Sequence, residues 1–180
     1  MACSTEMALA QTAEPSSTAA TYGNWTVTCA TQPSADGAAA GPKTCQMTTR
    51  LNLKGNDGQT RPLLEIAIGK PANADAPRIV LQVPIDVALR EPIMLAVGVA
   101  AGEATDNQPR EDIGAASYFA CAPTGCVADT ALTAEMIAKL KTIPTTNVTF
   151  TALADGKKIT VPVAMTGFGD AWAALDLPSP

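Results

Sequence analysis

Tyr118-Phe119-Ala120-Cys121-Ala122-Pro123-Thr124-Gly125-Cys126 decides how the rest of the chain is read. Four residues separate its two cysteines, and a Pro-Thr-Gly run lies between them. Apolar, β-prone residues flank both sides. The pattern is that of a strand, a tight turn closed by a covalent bond, and a returning strand. Upstream of it the chain reads as β-hairpins. Downstream it reads as helix, hairpin and helix.

Composition narrows the class. The chain has 180 residues, enough for one domain with a sizeable core. Apolar residues make up 47% and charged ones only 16%, which argues against wholesale disorder. Aromatics are 4%, so the core must be built from Val, Ile, Leu, Ala and Met. Net charge is −5 and no basic stripe is present, which disfavours nucleic acid and anionic lipid as partners. The chain has no histidine. A Ser-His-Asp triad or a Cys-His nucleophile is therefore impossible within it. The longest apolar run, residues 93–101, is too short to span a bilayer and contains Gly98.

Five cysteines are present: Cys3, Cys29, Cys45, Cys121 and Cys126. Two disulfides and one odd thiol are the plain reading, which implies an oxidising compartment. No C-x-x-C occurs. A four-thiolate zinc site competes, but its knuckles need two close pairs, and fifteen residues separate Cys29 from Cys45. A Cys29–Cys45 bridge would staple the first two strands.

Residues 1–20 read as a flexible tail or a signal or lipoprotein remnant, and residues 21–180 as one domain. Ala8-Leu9-Ala10 before Gln11 matches a signal-cleavage pattern. Cys3 is a candidate lipid anchor, or else a thiol in a loose end. Residues 22–29 alternate as a strand with Trp25, Val27 and Cys29 on one face. Cys45, Met47, Thr49, Leu51 and Leu53 share the next face. Leu64, Ile66 and Ile68, then Ile79, Leu81 and Val83, then Ile93, Leu95, Val97 and Val99 continue the pattern. Residues 102–112 are polar and include Arg110, Glu111 and Asp112, a candidate contact loop or simply a solvated one.

Thr133 is placed to cap a helix carrying Met136, Ile137 and Leu140 on one face. Val148 and Phe150 face Ile159 and Val161 across an Asp155-Gly156 turn, and Pro162 marks the last strand as an edge. Phe168, Trp172 and Leu175 share the face of a closing helix. Phe168 and Trp172 suit the core or an interface equally well by spacing. About nine short strands and two short helices predict an all-β, mainly antiparallel β-sandwich or barrel. The carboxylates Glu111, Asp112, Asp170 and Asp176 form no calcium-loop pattern and read as solvated surface.

Four blocks, in order, resemble the invasion-associated locus B family of bacterial envelope proteins. They are Gly23-x-Trp25-x-Val27-x-Cys29, residues 78–89 (Arg-Ile-Val-Leu-Gln-Val-Pro-Ile-Asp-Val-x-Leu), Phe119-x-Cys121-x-x-x-Gly125-Cys126-x-Ala128, and Val161-Pro162-Val163-x-x-x-Gly167-Phe168. The resemblance covers about residues 21–176. It implies a secreted or periplasmic β-sandwich with two disulfides among Cys29, Cys45, Cys121 and Cys126, and it brings no catalytic residue or cofactor. The chain departs from the family at Arg90-Glu91-Pro92, at Ile143-Pro144 and in the length of the 102–112 loop, all of them connections.

The expectation is a non-enzymatic module without cofactor or metal, whose partners are proteins of the bacterial envelope. Membrane contact would come only through a partner or an N-terminal anchor. The sharper form is an accessory, stabilising small subunit of a larger envelope complex such as a membrane-bound periplasmic oxidoreductase. The alternative is a secreted or surface factor promoting host-cell adhesion or invasion.

Overall fold

The computed structural model describes residues 17–33, 40–55, 57–71, 74–98 and 111–175. Cys3, Ala8-Leu9-Ala10, Val99, Arg110 and Asp176 lie outside the described residues. Among the described residues, ten strands form a single antiparallel sheet. They are β1 (Ser17–Tyr22), β2 (Trp25–Pro33), β3 (Ala40–Lys54), β4 (Thr60–Gly69), β5 (Arg78–Val83), β6 (Ile93–Val97), β7 (Asp112–Ala122), β8 (Gly125–Ala131), β9 (Thr145–Thr151) and β10 (Lys158–Ala164). Two short helices complete the fold: α1 (Ala134–Thr142) and α2 (Phe168–Ala174). The order across the sheet is β1-β2-β3-β4-β5-β8-β7-β6-β9-β10.

The sheet curls over its own core, and β7 is where it turns. Residues Asp112 to Ala116 of β7 pair with β6, and Ser117 to Ala122 pair with β8. Register shifts at Leu95/Ala96 and at Tyr118/Ala120 flank that changeover. An extra residue bends a strand and sharpens its twist, so the bulges let one strand serve both halves. The predicted sandwich is thus an antiparallel sheet folded on itself.

One core results. Trp25, Ile66, Ile68, Ile79, Leu95, Leu140, Val163, Met165 and Phe168 line a single interior point, with contributions from both halves of the sheet and both helices. Alternation holds through β4 and β5, where Leu64, Ile66, Ile68, Ile79, Leu81 and Val83 are all buried. It fails opposite the bulges of neighbouring strands, at Leu63 of β4 and Ile113 of β7. Leu53, expected inward, is 57% exposed beyond the Leu51/Asn52 shift, and Ala96 is buried in place of Val97.

The first segment also differs from expectation. Residues 22–29 are not one strand. Gly23 and Asn24 form a turn, and Ser17 to Ala20, read from sequence as tail, pair with β2 as β1. No apolar alternation marks β1, because all but Tyr22 are exposed.

That first turn meets the end of the sheet. The Asn24 amide donates to the Thr166 carbonyl at 3.0 Å. Gly23 and Gly167 have φ of 56° and 83°, in the left-handed region, and pack back to back. A Cβ on Gly167 would lie 2.1 Å from the Tyr22 carbonyl oxygen. Just inside, the Trp25 and Phe168 rings meet edge-on at 5.2 Å.

The disulfides are cross-strand clips. Cys29 pairs with Cys45 across β2 and β3, and Cys121 with Cys126 across β7 and β8, each with Cα atoms 4.0 Å apart. The helix cap is as read: Thr133 Oγ1 accepts from the Met136 amide, and Ile137 and Leu140 are buried.

Two stability predictions follow from this geometry. Gly167→Ala combines a left-handed backbone with a main-chain clash and should cost at least about 2 kcal/mol in urea unfolding. Gly156→Ala, equally left-handed but facing open space, should cost only about 1 kcal/mol. Replacing both Cys29 and Cys45 by Ala should lose about 3 kcal/mol, and the Cys121/Cys126 pair about 2 kcal/mol, because its closed loop is shorter.

Candidate functional site

Antiparallel alternation gives the sheet two unlike ends. By strand direction the C-terminal ends of β1, β3, β5, β7 and β9 and the N-terminal ends of β2, β4, β6, β8 and β10 lie on the same side of the sheet. This turn end carries the β3–β4, β7–β8 and β9–β10 connections and residues 84–92. The other end leads into α1 and α2.

Among the described residues, the exposed large apolar side chains are Leu53, Ile85, Leu89, Phe119, Leu153 and Ile159. By strand direction every one of them lies at or toward the turn end. Scattered exposed apolar side chains need no explanation, but a set collected at one end does.

Residues 84–92 form a strap that ties this end together. It leaves β5 beside the disulfide, where Val83 faces Cys126 and Cys126 Sγ lies 3.8 Å from the Ile85 carbonyl oxygen. It then crosses to the end of β9. The Ala88 amide donates to the Thr151 carbonyl at 2.9 Å, and the Leu153 amide to the Asp86 carbonyl at 3.0 Å. Val87 bridges to Ala152, and Thr151 Oγ1 donates to Glu91 Oε2 at 2.7 Å. The strap buries Val87 at 3% exposure and turns Ile85 and Leu89 outward at 52% and 53%. Main-chain bonds at Asp86 and Ala88 tie it to the end of β9, and so place these side chains.

Phe119 is the most protruding aromatic, at 64% exposure. It is the extra residue of the β7 bulge. Tyr118 faces Ala128 and Ala120 faces Val127, and Phe119 has no partner between them. Tyr118 points inward, where its hydroxyl is buried without a hydrogen-bond partner among the described residues and burial pushes the phenol above its usual range.

The sequence-derived candidates fall elsewhere. Phe168 is 1% exposed and meets Trp25 edge-on, so it belongs to the core rather than to an exposed interface. Its packing against two indole rings, Trp172 at 6.2 Å as well, consumes the face that spacing alone left open. Trp172 is half-buried, with Lys141 Nζ 5.6 Å from its ring centre. Glu111 is exposed and ion-paired to Lys139 at 2.6 Å, which ties the start of β7 to α1 and holds the lysine above its usual range. Asp112 opens β7 and is exposed. Glu111, Asp112 and Trp172 thus sit toward the helix end and do not join the apolar set. Among the described residues, no group of three or more Cys, Asp or Glu is placed to hold a metal ion. No helix of the described residues is long and apolar enough to cross a membrane.

The fold and its clips define a disulfide-stapled, antiparallel β domain. The chain belongs to the invasion associated locus B (IalB) family, whose model matches residues 25–176. The crystal structure of invasion associated protein B from Bartonella henselae is similar in fold. The two superpose with a TM-score of 0.62 at 20% identity, over 88% of this chain and 94% of that one. No curated protein matches the chain. The family is not known as one of enzymes, and family and disulfides together point to an extracytoplasmic protein.

The unpartnered Tyr118 hydroxyl yields a prediction. Tyr118→Phe should leave stability unchanged or raise it by up to about 1 kcal/mol at neutral pH. Because the folded phenol is raised, stability is lost as pH climbs above the ordinary tyrosine range toward the folded value. The Phe variant should lose less of its thermal midpoint there than the parent.

Proposed function

We propose that this protein is a non-catalytic interaction module of the bacterial envelope, periplasmic or secreted, that works as an accessory, stabilising small subunit of a larger complex. A membrane-bound periplasmic oxidoreductase is the kind of assembly it would serve. The observation that carries this reading is the apolar set at the turn end, built on a rigid strap and a disulfide-clipped hairpin. Ile85, Leu89, Phe119 and Leu153 offer aliphatic and aromatic surface to a protein partner. The chemistry supports contact rather than turnover. Histidine is absent from the chain, and four of its five cysteines are held in disulfides.

A second reading takes the family name at its word: a secreted or surface factor that promotes adhesion to, or invasion of, host cells. The family description and the Bartonella neighbour favour it. The same apolar end would then meet a host component.

Fractionation separates the two. Membranes of the source organism, solubilised in mild detergent, should release the protein in a complex much larger than its own 18.4 kDa chain or any self-assembly of it. Phe119→Ser and Ile85→Ser should free it from that complex without lowering its thermal midpoint. Recovery of the wild-type protein only by itself would sink the subunit reading.

A further inference from the structure

The ten-stranded sheet has two edge strands, β1 and β10, and they are built differently. β10 is guarded. Pro162 has no amide hydrogen, and Lys157 and Lys158 stand at its start, the usual devices against strand addition. β1 has none of these. Ser17-Thr18-Ala19-Ala20-Thr21-Tyr22 contains no proline and no charge, and its first five residues are exposed.

The register fixes which groups β1 leaves free. Tyr22 and Trp25 flank a two-residue turn, so they exchange ladder hydrogen bonds. With a period of two, Thr18, Ala20 and Tyr22 bond to β2, and Ser17, Ala19 and Thr21 turn their N–H and C=O groups outward. The first disulfide agrees. Its Cα separation of 4.0 Å is that of a pair without ladder bonds across β2 and β3, so Cys29 bonds toward β1, opposite Thr18.

We propose that this edge docks a second copy of the chain, β1 against β1, antiparallel about a two-fold axis at Ala19. Symmetry allows few choices. A two-fold axis normal to the sheet must pass between a residue and its own copy, because neighbouring facing pairs alternate in type. Centred on Ala19, it sets Ala19 opposite Ala19 and Ser17 opposite Thr21 on both sides. The three outward residues of each copy then make about six main-chain hydrogen bonds. Thr18 faces Ala20 between them.

The stretch is complementary to itself. Its side chains are small next to the axis, hydroxyls meet hydroxyls at Ser17 and Thr21, and no charge meets its like, although the whole chain carries −5. With the β10 edge guarded, addition closes at two copies rather than growing into a fibre. β1 is separate from the strap and hairpin of the turn end, so the dimer does not depend on which partner that end engages.

The test uses the full chain with Cys3→Ser, so that no intermolecular disulfide contributes. Sedimentation equilibrium should show a concentration-dependent dimer. Ala19→Pro deletes both central donors while leaving the β1–β2 ladder intact, and should abolish the dimer. Ala19→Lys and Ala19→Glu each place like charges face to face and should weaken association roughly fivefold or more. An equal mixture of the Lys and Glu variants should restore a dimer containing one of each, which native mass spectrometry resolves. Circular dichroism checks that every variant is folded, and the mixed dimer cannot arise from misfolding. A monomeric wild type, a dimer that survives Ala19→Pro, or a mixture that fails to pair would each overturn the proposal.

Discussion

The fold depends on a close approach between chain segments more than 140 residues apart. The β1–β2 turn and the link from β10 to α2 touch through Gly23 and Gly167, whose missing Cβ atoms leave room for two carbonyls. One hydrogen bond, from Asn24 to Thr166, spans the junction, and the Trp25–Phe168 contact seals it from within. An antiparallel sheet of this length would otherwise lie open, with one face of its apolar residues in water. Bringing its ends together converts that face into a single core.

The second requirement is a place to turn, and β7 supplies it. A strand that pairs with β6 over its first half and β8 over its second cannot keep perfect alternation. The bulge that permits the switch leaves Phe119 outside the pleat while Tyr118 stays within it. The exposed aromatic is thus a by-product of the architecture, placed beside a disulfide that stiffens the hairpin carrying it. The strap at residues 84–92 acts similarly. It must bury Val87 to seal the core between β5 and β9, and in doing so it turns Ile85 and Leu89 outward.

Much of this was legible in the sequence. The alternation of β4, β5 and β9, the Thr133 cap and the edge position of Pro162 all follow from local chemistry, and the structure has them, while β10 keeps its alternation only at Val161 and Val163. β1 was not legible, because a strand exposed on both faces has no apolar period to read. Nor were Leu53 and Ala96, because the extra residues opposite them, Leu63 in β4 and Ile113 in β7, belong to neighbouring strands and leave little trace in composition. The exposed apolar set went unread for a related reason. Charge density drew attention to Glu111 and Asp112, and helical spacing to Phe168. The apolar surface lies instead where alternation breaks. Two adjacent aromatics at Tyr118 and Phe119 were the available signal, because successive strand residues cannot both face the core.

The junction between the first turn and the last helix also sets the order of events during biogenesis. Two strand pairings on the far half join segments distant in sequence: β5 waits for β8, β6 for β9. Such topologies fold slowly, because loop closure comes before its reward. Here the core has no lid until residues near 168 arrive to cover Trp25. A chain threading vectorially through a membrane pore, amino end first, would therefore stay unsealed until Phe168 had emerged. The cysteines of the first hairpin would remain open to oxidants through nearly the whole passage. For such a chain, completion of the fold would wait for the far side of the barrier, where disulfides can form.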